Sequence, residues 1–284
     1  MDDSKIFIVG ANGQLGTALR VQYPGAKFAD INELDITNKA SVDAFNWSEV
    51  DIILNAAAYT NVDGAETNEG RVAAWKVNAQ ALQYLCRQAQ KNGITFVHIS
   101  SDYVFDGTVV PHTEDEPLSP LSVYGASKAA GDLLVQQLDK HYLLRTTWVI
   151  GEGKNFVRTM LSLAEKDISP TVVADQVGRL TFTSELVRAI DHLLTTKAEF
   201  GTYNTTNSGA NKSWADITRD IFALAGRTDL TVTDTSTAEY FAGKEGIAPR
   251  PLGSEMDLSK LQATGFVSRD WYEELQEYIQ KEEA

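Results

Sequence analysis

Tyr124 and Lys128 stand four residues apart at the start of a helix-like run, residues 124–138. On a helix that spacing stacks both side chains on one face, one turn apart. An ammonium beside a phenol stabilises the phenolate, so the tyrosine pKa is expected to fall towards working pH and its proton can pass to a carbonyl oxygen. Ser100 and Ser101 follow an apolar, β-branched run, residues 94–99, that reads as a buried strand. Open α/β sheets hold their ligands at strand carboxyl ends, and a serine hydroxyl there would hydrogen-bond the same oxygen. Hydroxyl, phenol and amine together suit proton transfer to a ketone. A Tyr-x-x-x-Lys pair by itself is more often an ordinary surface pair, so the surrounding elements decide its meaning.

The amino-terminal elements point to a dinucleotide. Residues 5–9 form a short apolar strand, and Gly10-Ala11-Asn12-Gly13-Gln14-Leu15-Gly16 leads from it into a helical pattern over residues 15–21. Glycines at this spacing let the backbone turn tightly and approach a pyrophosphate, whose charge the helix amino end stabilises. Residues 27–30 read as a second strand ending on Asp30, in the window for a ribose contact. A carboxylate there favours a free 2′-hydroxyl over a 2′-phosphate, by charge repulsion. Asp35 and Ile36 come next, with Asp35 also readable as a cap for a helix over residues 37–45. A third strand, residues 51–54, runs into the small residues Ala56, Ala57 and Ala58, which allow a flat cofactor to come close.

A long helix over residues 69–91 and a buried strand over residues 142–146 complete the alternation. From about residue 151 it weakens to a helix (184–194), a strand (201–204) and a helix (213–225). The expected fold is α/β: a Rossmann-type doubly wound parallel sheet with a smaller mixed α/β substrate-binding portion. Residues 1–150 would bind NAD(P). Residues 151–284 would mainly bind substrate, with some elements returning to the main sheet across a soft boundary.

Composition narrows the partners. The 284 residues suffice for a full core, and the net charge of −14 argues against a nucleic-acid partner, which needs a basic patch. An anionic substrate stays compatible, because arginines and helix amino ends can dominate the field inside a cleft. The one cysteine, Cys86, excludes an internal disulfide and suits a reducing compartment. The chain opens without a basic region followed by an apolar one, and no apolar run is long enough to span a bilayer. A cytoplasmic protein with no membrane partner is expected.

Longer motifs are more specific. The run from Asn55 through Tyr59, Thr60, Val62 and Asp63 to Glu66 follows the third strand. Ser100-Ser101-Asp102-Tyr103-Val104-Phe105-Asp106-Gly107 leads to Glu114-x-Glu116-Pro117-x-x-Pro120-Leu121-x-x-Tyr124-Gly125-x-x-Lys128, and Arg145-Thr146-Thr147-Trp148-Val149-Ile150-Gly151 comes after. Asp175-Gln176-Val177-Gly178-Arg179-Leu180-Thr181 and Pro249-Arg250-Pro251 complete the set. In identity and order, over nearly the whole chain, these runs resemble the dTDP-4-dehydrorhamnose reductase family, in the extended, sugar-nucleotide-modifying branch of the short-chain dehydrogenases/reductases.

The resemblance implies reduction, with NADPH or NADH, of the 4-keto group of dTDP-4-dehydro-β-L-rhamnose to dTDP-L-rhamnose for surface polysaccharides. It implies Ser101, Tyr124 and Lys128 as catalytic residues. Gly10, Asn12, Gly13, Gln14, Leu15, Asp30, Asp35, Ile36, Ala56, Ala57, Ala58, Tyr59, Asn78 and Ser100 would join Tyr124 and Lys128 around the cofactor. Asn78 matches the asparagine of a proton-relay water site. Thr60, Val62, Ser101, Asp102, Tyr103, Trp148, Asn155, Phe156 and Arg250 would meet the substrate, Arg250 through paired donors to a diphosphate.

Three positions depart from the family pattern. Ser101 replaces Thr, which leaves its rotamer less restrained. Leu180 replaces Pro, so a looser loop is expected there. Ile31 stands where many relatives carry Arg, so NADH is expected to serve as well as NADPH. A monomer or homodimer is implied, with Mg²⁺ left without assigned ligands and no metal site named. The alternatives are another sugar-nucleotide epimerase or dehydratase, which would keep NAD bound, and a non-catalytic module like the regulatory β-subunit of methionine adenosyltransferase.

Overall fold

Short strands buried on both faces can pair only inside a sheet that helices cover on each side. The computed structural model describes residues 1–282 and shows that arrangement. Strands β1 (Ile6–Val9), β2 (Lys27–Ala29), β3 (Ile52–Asn55), β4 (Thr95–Ser101) and β5 (His141–Thr146) join the Gly201–Asn204 strand in one sheet of six. The order is β2-β1-β3-β4-β5 and then Gly201–Asn204, every neighbouring pair parallel. The winding reverses between β1 and β3, and a crevice opens at the carboxyl ends of strands at such a switch point. Register sets Val9 beside Asn55, Asn55 beside His98, and Ser101 beside Thr146.

Helices α1 (Gln14–Gln22), α2 (Lys39–Ala44), α3 (Asn68–Trp75), α4 (Ala81–Asn92) and α5 (Val123–Val135) follow the strands. The single helix expected over 69–91 is divided: a π turn, Lys76–Gln80, joins α3 to α4 and carries Asn78. Such turns bulge a helix locally and often mark functional sites. One face of the sheet packs Phe7, Ile53 and Phe96 against Trp47, Leu82 and Leu85. On the other face Ile8, Leu54 and Leu144 meet Leu15 and Leu19 of α1, and also Leu186 and Ile190 of α7 (Thr183–Thr196). Elements from the carboxyl half thus return to the main sheet. Each such side chain contributes about 1.5–3 kcal/mol on burial. A third core joins Val157, on α6 (Phe156–Glu165), to Phe182, Ile221 of α8 (Trp214–Leu224) and Trp271 of the last helix, Trp271–Glu282.

Two local features bring α5 to the sheet edge. Ser122 caps it by accepting from Gly125 N at 3.1 Å. A Cβ on Gly125 would stand 2.2 Å from the Tyr103 carbonyl oxygen, so only glycine lets the helix press against the end of β4.

Candidate active site

The glycine loop forms a cradle built by backbone. Gly10 has φ +76°, and a Cβ there would lie 2.6 Å from Ala57 Cα. The chain therefore turns where β1 and β3 diverge, and the amino end of α1, with Gly13 as its cap residue, carries no side-chain cap. Uncapped N–H groups and the helix dipole suit a phosphate. Beside them a cleft of about 460 Å³ is lined by Gly10, Asn12, Gly13, Asp30, Asp35, Ile36, Ala56, Ala57 and Ala58. These features fit a dinucleotide.

Asp30 Oδ2 accepts from Asn12 N at 3.0 Å and ties the loop to β2. Asp35 closes a turn on Thr37, accepting from its N and Oγ1 at 2.9 and 2.7 Å. It does not cap the helix as one expectation had it; Asn38 caps α2. Arg20 lies over the Phe28 ring at 4.1 Å, a cation at this rim that the sequence reading did not single out.

A second cleft, of about 670 Å³, adjoins the first through shared Asn12, Gly13, Ala56 and Ala58. Gln14, Leu15, Ser100, Ser101, Tyr124 and Lys128 line it, with Thr60, Val62, Asp102, Tyr103 and Trp148. Tyr124, Lys128 and Asp132 follow one another at four-residue steps along α5, all buried. Ser101 Oγ donates to Asp102 Oδ1 at 2.8 Å and accepts from Tyr103 N at 3.2 Å, so hydrogen bonds hold the rotamer that a threonine methyl would have restrained. Asp102 Oδ2 accepts from Ser254 Oγ at 2.6 Å. Burial pushes the Asp102 carboxyl up, and the two serine hydroxyls oppose that.

The electrostatics of Tyr124 overturn an expectation. Burial raises its pKa, the Ser101 hydroxyl lowers it by less, and Asp102 and Asp132 raise it further. The phenol thus keeps its proton rather than approaching the phenolate. Lys128 does not counter this, because its Nζ turns to the Ile99 carbonyl at 2.6 Å and lies 3.3 Å from His98 Nε2. Burial brings Lys128 itself down to about 8, with Asp132 opposing. Asp132 pairs with Arg145 Nε at 3.0 Å, both fully buried.

Some expected site residues lie behind the cleft. Asn78 Nδ2 donates to the Tyr59 carbonyl at 3.1 Å and to Ser127 Oγ at 3.0 Å, and its Oδ1 accepts from Tyr59 N at 2.8 Å. Ser127 in turn donates to the Tyr124 carbonyl at 2.7 Å. Asn78 and Tyr59 thus fasten the β3 loop to α5, and neither lines the cleft. Asn155 caps α6, and its Nδ2 is taken up by Gly151 O, Gly153 O and Tyr278 OH.

Phe156 and Arg250 line a separate cavity of about 430 Å³ with Trp214 and Phe241. The Arg250 guanidinium is already paired, its Nη2 donating to both oxygens of Asp63 at 2.8 and 2.9 Å. Trp148 has φ +47°, rare for a bulky residue, and stacks on Trp214 with ring centroids 3.7 Å apart. The loop expected to loosen at Leu180 does not: Leu180 is fully buried in the third core, and Thr181 N donates to the Trp148 carbonyl at 3.1 Å.

Sequence reading missed His98, Asp132 and Ser254 as neighbours of the catalytic set. The four-residue step beyond Lys128 would have found Asp132; Ser254 stands in the run that begins Pro249-Arg250-Pro251, at a serine of the family pattern, but was given no role. Among the described residues no group of three or more His, Cys, Asp or Glu side chains is placed to hold a metal ion, and no helix is long and apolar enough to cross a membrane.

A doubly wound parallel sheet, a glycine cradle at its switch point and an adjoining Ser–Tyr–Lys cleft define a Rossmann-type oxidoreductase of the short-chain reductase kind. More particularly, the chain belongs to the family described as RmlD substrate binding domain, whose model matches residues 4–284. It is 36% identical to a dTDP-4-dehydrorhamnose reductase of Aggregatibacter actinomycetemcomitans, covering 94% of this chain and 96% of that protein. The crystal structure of a dTDP-4-dehydrorhamnose reductase from Clostridium acetobutylicum superposes with a TM-score of 0.89 at 37% identity, covering 98% of this chain and 99% of that one. The Bacillus anthracis enzyme of that name, in complex with NADP, gives 0.88 at 35% identity, covering 98% of each chain.

Proposed function

We propose that this chain reduces the 4-keto group of dTDP-4-dehydro-β-L-rhamnose to dTDP-L-rhamnose with NADPH or NADH, as a cytoplasmic step in surface polysaccharide synthesis. The observation that carries this is a buried Tyr124, its pKa raised by burial, sharing one cleft with Ser101 and with Gln14 and Leu15 of the glycine loop. The bound nicotinamide supplies the hydride. Tyr124 gives its proton to the oxygen of the reduced carbonyl, a role worth roughly 10²–10⁴ in rate. Ser101 Oγ turns from Asp102 to hydrogen-bond that oxygen as charge develops. Lys128 holds the nicotinamide ribose, the cradle at Gly10 and Gly13 takes the pyrophosphate, and Asp30 faces the adenosine ribose. Trp148 walls the sugar. Because hydride and proton come from fixed positions, holding the ketone in register supplies much of the rate.

The test is absorbance of reduced nicotinamide after adding the dTDP-keto sugar, run with each cofactor. Sugar-dependent oxidation is the expected result. Protein that carries NAD and converts the sugar while consuming no added cofactor would instead be an epimerase or dehydratase. No sugar-dependent oxidation with either cofactor would leave the regulatory-module reading.

A further inference from the structure

His98 lies on β4 beneath the catalytic lysine, and its hydrogen bonds determine which ring nitrogen carries the proton. Asn55, its register partner on β3, accepts from Ala57 N through Oδ1 at 3.2 Å. That contact fixes the amide, leaving Asn55 Nδ2, a pure donor, facing His98 Nδ1 at 3.0 Å. His98 Nδ1 must therefore accept and carries no proton. Burial holds the ring's pKa well below the ordinary histidine value, so the imidazole is neutral. Its one proton is then on Nε2, which points at Lys128 Nζ across 3.3 Å.

An ammonium there would set donor against donor. An uncharged amine accepts from Nε2–H with its lone pair while one of its own hydrogens bonds the Ile99 carbonyl, at 2.6 Å. We propose that His98 is a positioning residue for Lys128: Asn55 locks its ring as the Nε2–H tautomer, and that N–H favours the uncharged amine in the cofactor-free cleft. The other groups around the lysine do not reverse this. From α5 itself Asp132 favours the ammonium, but its carboxylate is shared with Arg145 of β5. Tyr124, one turn earlier, is a neutral phenol on which Asp102 acts. Asn55 of β3, which bonds His98, and Asn78 of the π turn, which bonds Ser127, are both uncharged.

The proposal rests on the assigned function only for the place of Lys128 in the site. Its test uses the full chain without cofactor or substrate, so failure here leaves ketone reduction standing, and failure of the reductase assay leaves the tautomer standing. In protein enriched in ¹⁵N-histidine, the His98 ring signals are expected to show Nε2 protonated and Nδ1 bare through neutral pH. Protonated Nδ1 overturns the proposal and needs no variant. In protein with ¹³C-lysine, the Lys128 midpoint is expected to rise by about one pH unit or more in His98→Gln, whose carbonyl can turn to the ammonium, a tenfold change in the ratio of charged to uncharged forms. A midpoint unmoved or lowered also overturns it.

Discussion

The two halves of the cleft are held by different kinds of tie. Around the glycine-loop cleft the ties are short in sequence: Asn12 to Asp30 spans 18 residues, and Asp35 to Thr37 spans 2. In both a carboxylate accepts from a backbone N–H close by, and Gly10 itself meets Ala57 main chain to main chain. Around the second cleft and the neighbouring Phe241 cavity, side chains reach across the molecule, Ser254 to Asp102 over 152 residues and Arg250 to Asp63 over 187. A cradle made of backbone tolerates few residue types but many neighbours. A wall made of side-chain pairs can change its pocket by single substitutions, and its pairs must be satisfied together or they cost stability.

Three substitutions probe that contrast. The largest effect belongs to Tyr124, which lines the second cleft with Ser101 and Lys128. Tyr124→Phe should lower turnover by about 10²–10⁴ and leave the cofactor dissociation constant near its original value, because only the donor is lost. Near-normal turnover would remove Tyr124 from the chemistry. Next comes the backbone cradle. Gly10→Ala adds a Cβ against Ala57 at a positive φ and should cost roughly 1–3 kcal/mol of stability together with cofactor affinity. Chemical denaturation and cofactor titration would check both, and an unchanged pair of values would mean the loop can relax at no cost.

The smallest effect lies where α7 ties the carboxyl half to the sheet. Buried Glu185 accepts from Arg269 N at 3.1 Å and pairs with Arg188, yet burial raises it to about 7. Its folded value stands above the unfolded one, so the stability linked to its proton is present below the unfolded value of about 4.3 and is lost as pH rises through about 7. The melting-temperature advantage of the native chain over Glu185→Gln should therefore shrink from pH ~5 to pH ~8. A gap that widens over that range would show the carboxylate to be favoured by folding instead.

The same contrast explains what could be read in advance. Strand and helix periods placed the sheet, and the glycine spacing placed the cradle, because both depend on neighbours in the chain. The four-residue step put Tyr124 and Lys128 on one face of α5 for the same reason. The direction of the Tyr124 shift was out of reach, since it depends on burial and on where Lys128 Nζ points, and Ile99 and His98 decide that from another element. Nor could Asp63 be known to occupy Arg250, because only the closed fold brings residues 63 and 250 together. The substrate contact of Asn155 was an implication of the family resemblance, and its side chain caps α6.

Trp148 and Trp214 lie face to face on the boundary between the catalytic cleft and the Phe241 cavity. Indoles in such contact couple their electronic transitions, so the partition between the two compartments carries its own chromophore pair. Near-ultraviolet circular dichroism would then register the spacing of that partition directly, without an added dye.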